Sequence, residues 1–486
     1  MAVTSRALSL PSVNRRQFLL VSASTLLLSG CQATPASPVA VAPAATRYTI
    51  GDLLGTTPFY VAHRGSGDNW VEHSFDAYTR SIDSGVKAIE VSVSVTTDGV
   101  FVCHHDLTTT RMTGVDRTIA DVTWEELSKF RSDGRAWLGP ATKQQPLPLL
   151  TDVLDAFAST HVIFLEDKQG TNTQALLELM DGYPRSTDHF VWKQWAGATQ
   201  YTLVDTHGYK TWGYFTSELY ERADELAPRF TFLGVSHTAT DAQVARLVAF
   251  DKPVIAWEVH YRSLRDRMGD LGVAGMMCSN LPYVTGTTAA SRRDAFGTGR
   301  RAAGDLPWTV DQGAQVQPII DAGAASVVLK HRDLQSYLMG SMCPVGPNSY
   351  RITCELRWPE TLPRAEQHAG MAFGAADDRP YRVRTASDVS GYHMVLRANG
   401  SLELFSRAAG TTDGTQLITV LTAPPRAGEW VRLQIEVLAN NLRILRLDGA
   451  GWSMEVDDAS YRGGYFWLCK NYQEGPPVEF RSIVVS

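Results

Sequence analysis

The chain has 486 residues, 44% hydrophobic and 20% charged, with a formal charge of −6. Those contents are typical of a soluble globular protein, and the length exceeds one ordinary domain, so two are expected. The acidic balance argues against a general binder of nucleic acid or anionic membrane. Any anionic ligand would need a local basic site.

Residues 1–30 read as a signal rather than part of the fold. Arg15-Arg16-Gln17-Phe18-Leu19 leads into an apolar run ending at Leu28, closed by Leu28-Ser29-Gly30-Cys31. A basic start, a short apolar core and a small-residue end define a secretory signal. The Arg pair suggests the twin-arginine route. The run is too short to span a membrane. The closing residues resemble a bacterial lipoprotein box, which would lipidate Cys31. The expected location is therefore exported: a cell-surface or periplasmic lipoprotein held only by a lipid anchor at Cys31, and otherwise a secreted protein. The segment carries Arg6, Arg15 and Arg16 and no acids, so its removal takes the formal charge from −6 to −9. Residues 31–50, rich in Ala, Pro and Val, read as a tether.

Residues 51–296 alternate short apolar runs with amphipathic stretches. Eight runs read as strands: FYVAH, KAIEVSVSV, HVIFLED, HFVWKQW, YKTWGYF, FTFLGVS, PVIAWEV and VAGMMCS. Stretches such as SFDAYTRSIDSG, TQALLELMDG and DAQVARLVAF between them read as helices, several ending in Gly or Pro. Eight βα units favour a closed (β/α)8 TIM barrel of the α/β class, and an open doubly wound sheet is the alternative. No Gly-rich phosphate loop follows the first run. Residues 107–147 interrupt the pattern as an insertion on a βα loop, where a barrel builds its active-site walls.

Residues 297–312 read as a linker. In 313–486, runs such as SYRITCELRW, GYHMVLRA, SLELFSR, WVRLQIEVL and VEFRSIVV alternate apolar and polar residues, separated by turns such as Asn399-Gly400 and Asp448-Gly449. That pattern predicts an all-β antiparallel sandwich. The pattern resembles concanavalin-like or laminin-G-like jelly rolls, which makes a glycan its candidate ligand. Trp358, Tyr392, Trp430, Trp452 and Trp467 are candidate stacking platforms or core residues. One disulfide among Cys343, Cys354 and Cys469 is expected, since export permits it.

The chemistry concentrates in the barrel. In the strand 87–96, Ile89, Val91, Val93 and Val95 share the helix-facing side, which turns Glu90 and Ser92 inward. In HVIFLEDK, Val162, Phe164, Glu166 and Lys168 share a face. Two inward glutamates make a site for Mg²⁺ or Ca²⁺ plausible. Arg64 and Lys168 suit phosphate oxygens. His63 follows the first strand and His105 the VFVCH run, and a histidine pair flanking a phosphate can serve as acid and base.

The ordered set His63-Arg64-Gly65, Glu72-His73-Ser74, Glu90-Val91-Ser92, Thr97-Asp98-Gly99, His105-Asp106, Glu166-Asp167-Lys168, Trp257-Glu258-Val259-His260 and Ser279-Asn280-Leu281-Pro282 resembles the glycerophosphodiester phosphodiesterase family over residues 58–290. The resemblance implies a TIM barrel and hydrolysis of glycerophosphodiesters, small or polymeric, to glycerol phosphate and an alcohol. It assigns His63 and His105 to acid/base catalysis, Arg64 and Lys168 to the phosphate and Trp257 to the substrate channel. It assigns Glu90 and Glu166 to a divalent cation, Ca²⁺ or Mg²⁺. One position departs from it: the family has Asp where this chain has Ser92, so Glu72, His73, Glu258 and His260 become alternative ligands. His104 adds a further imidazole. The rival readings are a degenerate barrel carrying a glycan-binding sandwich, and an enzyme acting on another phosphodiester, in the manner of a phospholipase D.

Overall fold

In the computed structural model, the structure describes residues 47–306, 318–330, 336–346, 349–381, 386 and 388–486. The signal at 1–30, Cys31 and most of the tether lie outside the described residues. Among those described, no helix is long and apolar enough to cross a membrane.

Eight parallel strands follow one another around a closed sheet: β1 (Phe59–Ala62), β2 (Ala88–Val95), β3 (Val162–Asp167), β4 (Phe190–Trp195), β5 (Lys210–Phe215), β6 (Phe232–Ser236), β7 (Val254–Val259) and β8 (Gly275–Cys278). Each pairs with its neighbours in parallel. The sheet closes where β1 lies between β2 and β8, with Val61 opposite Ala88 and Phe59 opposite Gly275. The eight strands coincide with the eight apolar runs, and the fold is a (β/α)8 barrel.

Strand parity sorts the side chains. Val61, Ala88, Val162, Phe164, Val191, Trp212, Phe232, Ile255 and Met277 fill the interior. Ile89, Val91, Val93, Leu165 and Trp192 point outward into the core shared with the helices. The helix Leu150–Phe157 shows how that face is made: Leu150, Val153, Leu154 and Phe157, at helical spacing, are its buried residues. Full burial of one such leucine is worth about 1.5–3 kcal/mol.

The helix Ile50–Leu54 covers the barrel floor. Thr49 and Asp52 form its capping box, and Tyr48 N–H donates to Thr160 O. The tether expected to run to residue 50 is thus already folded from Tyr48, because this cap and the burial of Ile50 and Leu53 fix it.

After β2 the chain turns back through Phe101–Cys103, antiparallel to β2, and then forms a small subdomain. Val102, Ile119, Val122, Leu127 and Leu147 make its own core. Trp137 Nε1 donates to Gly67 O, 2.8 Å away, so the subdomain leans on the loop that carries His63.

The C-terminal region forms two antiparallel sheets. One orders Ile319–Asp321, Ser326–Leu329, Val478–Val485, Tyr350–Arg357, Val431–Val437, Leu442–Arg446 and Trp452–Val456. The other orders Ser336–Leu338, Tyr465–Lys470, His368–Ala375, Gly391–Arg397, Ser401–Arg407 and Thr415–Leu421. Gly400 turns one hairpin at φ +93°, a conformation that favours glycine.

Two expectations about this region need correction. The disulfide is absent. Cys343, Cys354 and Cys469 are free and buried, with Cys354 on one sheet and Cys469 on the other, each used as a small apolar core residue. Residues 297–306, read as linker, are packed structure. Gly299 O accepts from Ala141 N–H, and Arg301 donates to Leu306 O and the Tyr337 hydroxyl. Of the aromatic candidates three are enclosed, while Trp430 and Trp452 are half-buried. Trp358, Tyr392 and Trp467 are buried, and Trp430 lies under Arg357 and Arg481.

The sheets and the barrel share a buried polar joint. Asp378 Oδ2 accepts from Arg262 N–H at 2.7 Å and from the Tyr283 hydroxyl at 2.6 Å, while its Oδ1 accepts from Ser263 N–H at 2.8 Å. A carboxylate of the C-terminal region thus caps the barrel helix Arg262–Asp270.

Candidate active site

A cavity of about 80 Å³ opens at the C-terminal ends of the strands. His63, Arg64, His105, Glu166, Lys168, Lys193, Trp212, Tyr214, Trp257, Glu258 and Met277 line it. Every residue assigned from the sequence to acid/base, phosphate or channel duty is therefore gathered in one place. Glu90 and Ser92 lie beneath it, fully buried.

The His63 loop is built by local backbone demands. Arg64 adopts φ +52°, unusual for a residue with a side chain, and its N–H donates to Glu90 Oε2 at 2.8 Å. Gly65 follows at φ +74°, where a Cβ would come within 2.9 Å of the Ala77 Cβ. Only glycine lets the loop lie that close to the helix Phe75–Asp83.

Both histidines are oriented through Nδ1. His63 Nδ1 lies 2.8 Å from Ser279 Oγ, and that hydroxyl donates to Glu258 Oε2 at 3.3 Å. The hydroxyl has one proton, so His63 Nδ1–H must be the donor to it, which leaves Nε2 as a lone-pair base. His105 Nδ1–H donates to Asp106 Oδ1 at 2.8 Å, and Arg111 holds that carboxylate from its other side. Burial lowers the pKa of His63 to about 4, with Glu258 working against that shift. Burial lowers His105 too, but the Asp106 carboxylate opposes it and stabilises the imidazolium.

The carboxylate floor has a different logic. Glu90 Oε1 accepts from Lys193 Nζ at 2.7 Å and from Ser92 Oγ at 2.8 Å. Glu166 Oε1 accepts from the Tyr214 hydroxyl at 2.9 Å and from Lys168 Nζ at 3.2 Å. Glu166 Oε2 has no hydrogen-bond partner and meets Lys193 as an ion pair at 2.7 Å. Burial disfavours charge on both glutamates, yet Lys193 foremost holds both below the usual carboxylate range. Burial likewise disfavours charge on Lys193, but Glu166 and Glu90 together outweigh it and raise its pKa.

Lys193 is the residue that sequence reasoning missed. Its signal was present: in Phe190-Val191-Trp192-Lys193, parity places Lys193 on the inward face with Val191. A lysine there needs a buried acid.

The alternative cation ligands are engaged elsewhere. Glu72 faces Arg64 and Arg111, and its pKa falls to about 2; burial opposes that fall, and Arg64 is the largest cause favouring it. His73 Nδ1 meets the Tyr78 hydroxyl at 2.6 Å, and His104 Nε2 meets Thr108 O at 3.1 Å. His260 sits between Asp68, 2.7 Å away, and Glu258, 3.5 Å away. Burial opposes its charge, but Asp68 and then Glu258 raise its pKa to about 10, which favours the imidazolium, a form without a lone pair for a metal. Among the described residues no three His, Cys, Asp or Glu side chains converge as a metal site requires. The donor set fits a resident ammonium, and it does not fit a divalent ion.

Trp257 and Glu258, adjacent on β7, both line the cavity. Strict alternation forbids that, and the register against β8 shifts between Trp257 and Val259 to permit it. The Trp257 ring meets Tyr214 edge-on at 5.8 Å to form an aromatic wall.

The C-terminal mouth of the barrel thus brings together two histidines able to exchange protons and three cationic side chains able to face an anion. Residues 63–280 match the model of the Glycerophosphoryl diester phosphodiesterase family. A glycerophosphodiester phosphodiesterase of Caldanaerobacter subterraneus subsp. tengcongensis is 31% identical over 111 residues, 23% of this chain and 45% of that protein. A lysophospholipase D of Homo sapiens is 26% identical over 152 residues, 30% of this chain and 46% of that protein. A solved Oleispira antarctica phosphodiesterase, in complex with the product sn-glycerol-3-phosphate, is 20% identical, covering 46% of this chain and 93% of that one with a TM-score of 0.39. The chain spans less than half the length of these two curated relatives.

Proposed function

We propose that the barrel hydrolyses glycerophosphodiesters to glycerol phosphate and an alcohol. The observation that carries this reading is the convergence of two Nδ1-anchored histidines on a cavity that also holds Arg64 and Lys168. The phosphate binds between Arg64 and Lys168, whose charges stabilise the negative charge that grows on the phosphoryl oxygens. His63, kept neutral, takes the proton of the attacking O–H as the new P–O bond forms. His105, whose imidazolium Asp106 favours, gives a proton to the leaving oxygen as the old P–O bond breaks. Water consumed equals alcohol released, and the histidine pair is restored by proton exchange. Trp257 and Tyr214 contact the organic part of the substrate. Export through the amino-terminal signal belongs to the same reading.

The aromatic wall and the activity named for the human relative favour one further substrate, a lysophospholipid. The test is turnover of glycerophosphocholine, glycerophosphoethanolamine and lysophosphatidylcholine by the mature protein and by His63→Ala and His105→Ala. Release of glycerol phosphate that both variants lose supports the proposal. No turnover of any diester, or variants equal to wild type, overturns it.

A further inference from the structure

The resemblance implies a divalent cation between Glu90 and Glu166, and the structure holds a side chain there. Lys193 Nζ stands 2.7 Å from Glu90 Oε1 and 2.7 Å from Glu166 Oε2, buried, on the rigid strand β4. The remaining oxygens are also engaged: Glu90 Oε2 by the Arg64 N–H, Glu166 Oε1 by Tyr214 and Lys168. Ser92, where the family has an aspartate, donates to Glu90 Oε1 instead of competing for a cation. The charges agree with this. Three carboxylates and one divalent ion leave one net negative charge, and two carboxylates and one ammonium leave the same. Ser92 and Lys193 are therefore two halves of one exchange. A divalent ion added here would have to displace an ammonium from two short ion pairs, with one acid fewer to hold it.

We propose that Lys193 is the fixed cation of this active site, and that phosphodiester cleavage in this barrel needs no divalent metal. Lys193 lines the cavity, so a bound phosphoryl oxygen meets its ammonium alongside Lys168 and Arg64. The inference rests on the phosphodiesterase reading above, and its test separates the two. Wild-type protein is stripped with EDTA and titrated with CaCl₂ and MgCl₂ by calorimetry, and its glycerophosphocholine turnover is measured with chelator and with each ion. The expected result is no saturable heat and turnover within about twofold under all conditions, while Lys193→Ala loses about 100-fold, the scale of one lost transition-state donor.

The double variant Ser92→Asp/Lys193→Ala restores a three-acid cluster, and it should gain saturable Ca²⁺ or Mg²⁺ binding and be stabilised by the ion in thermal unfolding. Saturable binding by wild type that Glu90→Gln removes, or turnover that chelator abolishes and metal restores, would overturn the inference. If wild type turns over no diester, the functional reading fails while the calorimetry still decides the cation. Because the first arm uses wild type alone, a folding failure of Lys193→Ala leaves the test intact.

Discussion

The rim and the floor of the cavity solve opposite electrostatic problems. On the rim, His63 and His105 sit on loops, each tied through Nδ1 to a polar partner and each with a lowered pKa. On the floor, Glu90, Glu166 and Lys193 sit on strands, and their charges are kept by mutual pairing in the interior. Groups that must change protonation are held by hydrogen bonds to one nitrogen, which leaves the other free. Groups that must stay charged are locked in reciprocal ion pairs that neither partner leaves cheaply.

Mutating each layer should separate activity from stability. His63→Ala should lower kcat/KM by about 10²–10⁴-fold, the range for a general base, with little change in the denaturant midpoint. Lys193→Ala should lose stability as well as turnover: removing one partner of a buried ion pair costs about 3–5 kcal/mol, read from chemical unfolding. Equal stability losses in the two variants would erase the distinction between rim and floor.

The pH dependence sharpens the same contrast. As a base, His63 must be neutral, so kcat/KM should fall as pH drops through about 4. As an acid, His105 must be protonated, and its lowered pKa should make kcat/KM decline before pH reaches the usual histidine value. A flat profile from about pH 5 to about pH 9 would contradict the role of His105, and activity that persists well below about pH 4 would contradict that of His63. His260 behaves oppositely. Its pKa is raised to about 10, so its contribution to stability is complete below the ordinary histidine value and disappears as pH rises through about 10. Unfolding midpoints of wild type and His260→Gln should converge near about pH 10 and differ most near about pH 6.

The smallest effect lies outside the cavity. Asp378→Ala leaves two helix N–H groups and the Tyr283 hydroxyl unpaired at the joint between barrel and sheets. The expected loss is about 1–3 kcal/mol with kcat unchanged. A comparable fall in kcat would show that the joint also shapes the active site.

Much of the barrel was legible in the chain because period-two burial and helix caps are local properties. The eight strands, the insertion after β2 and the inward parity of Glu90 and Glu166 all follow from short windows of sequence. The strand His368–Ala375 escaped notice because it is buried on both faces and lacks alternation. The Cys343, Cys354 and Cys469 set misled because spacing says nothing about which sheet a cysteine joins.

The sequence by itself determined which residue types reach the mouth of the barrel: His63, Arg64, Glu90, His105, Glu166, Lys168 and Trp257. Only the tertiary structure decided what those residues do to one another. Glu90 and Lys193 are 103 residues apart, and His63 and Ser279 are 216 apart. Contacts at such separations are made by the closure of the sheet, which no local window records. Ser92 looked in isolation like a lost metal ligand. Beside Lys193 it is the neutral member of a site that already holds its own cation.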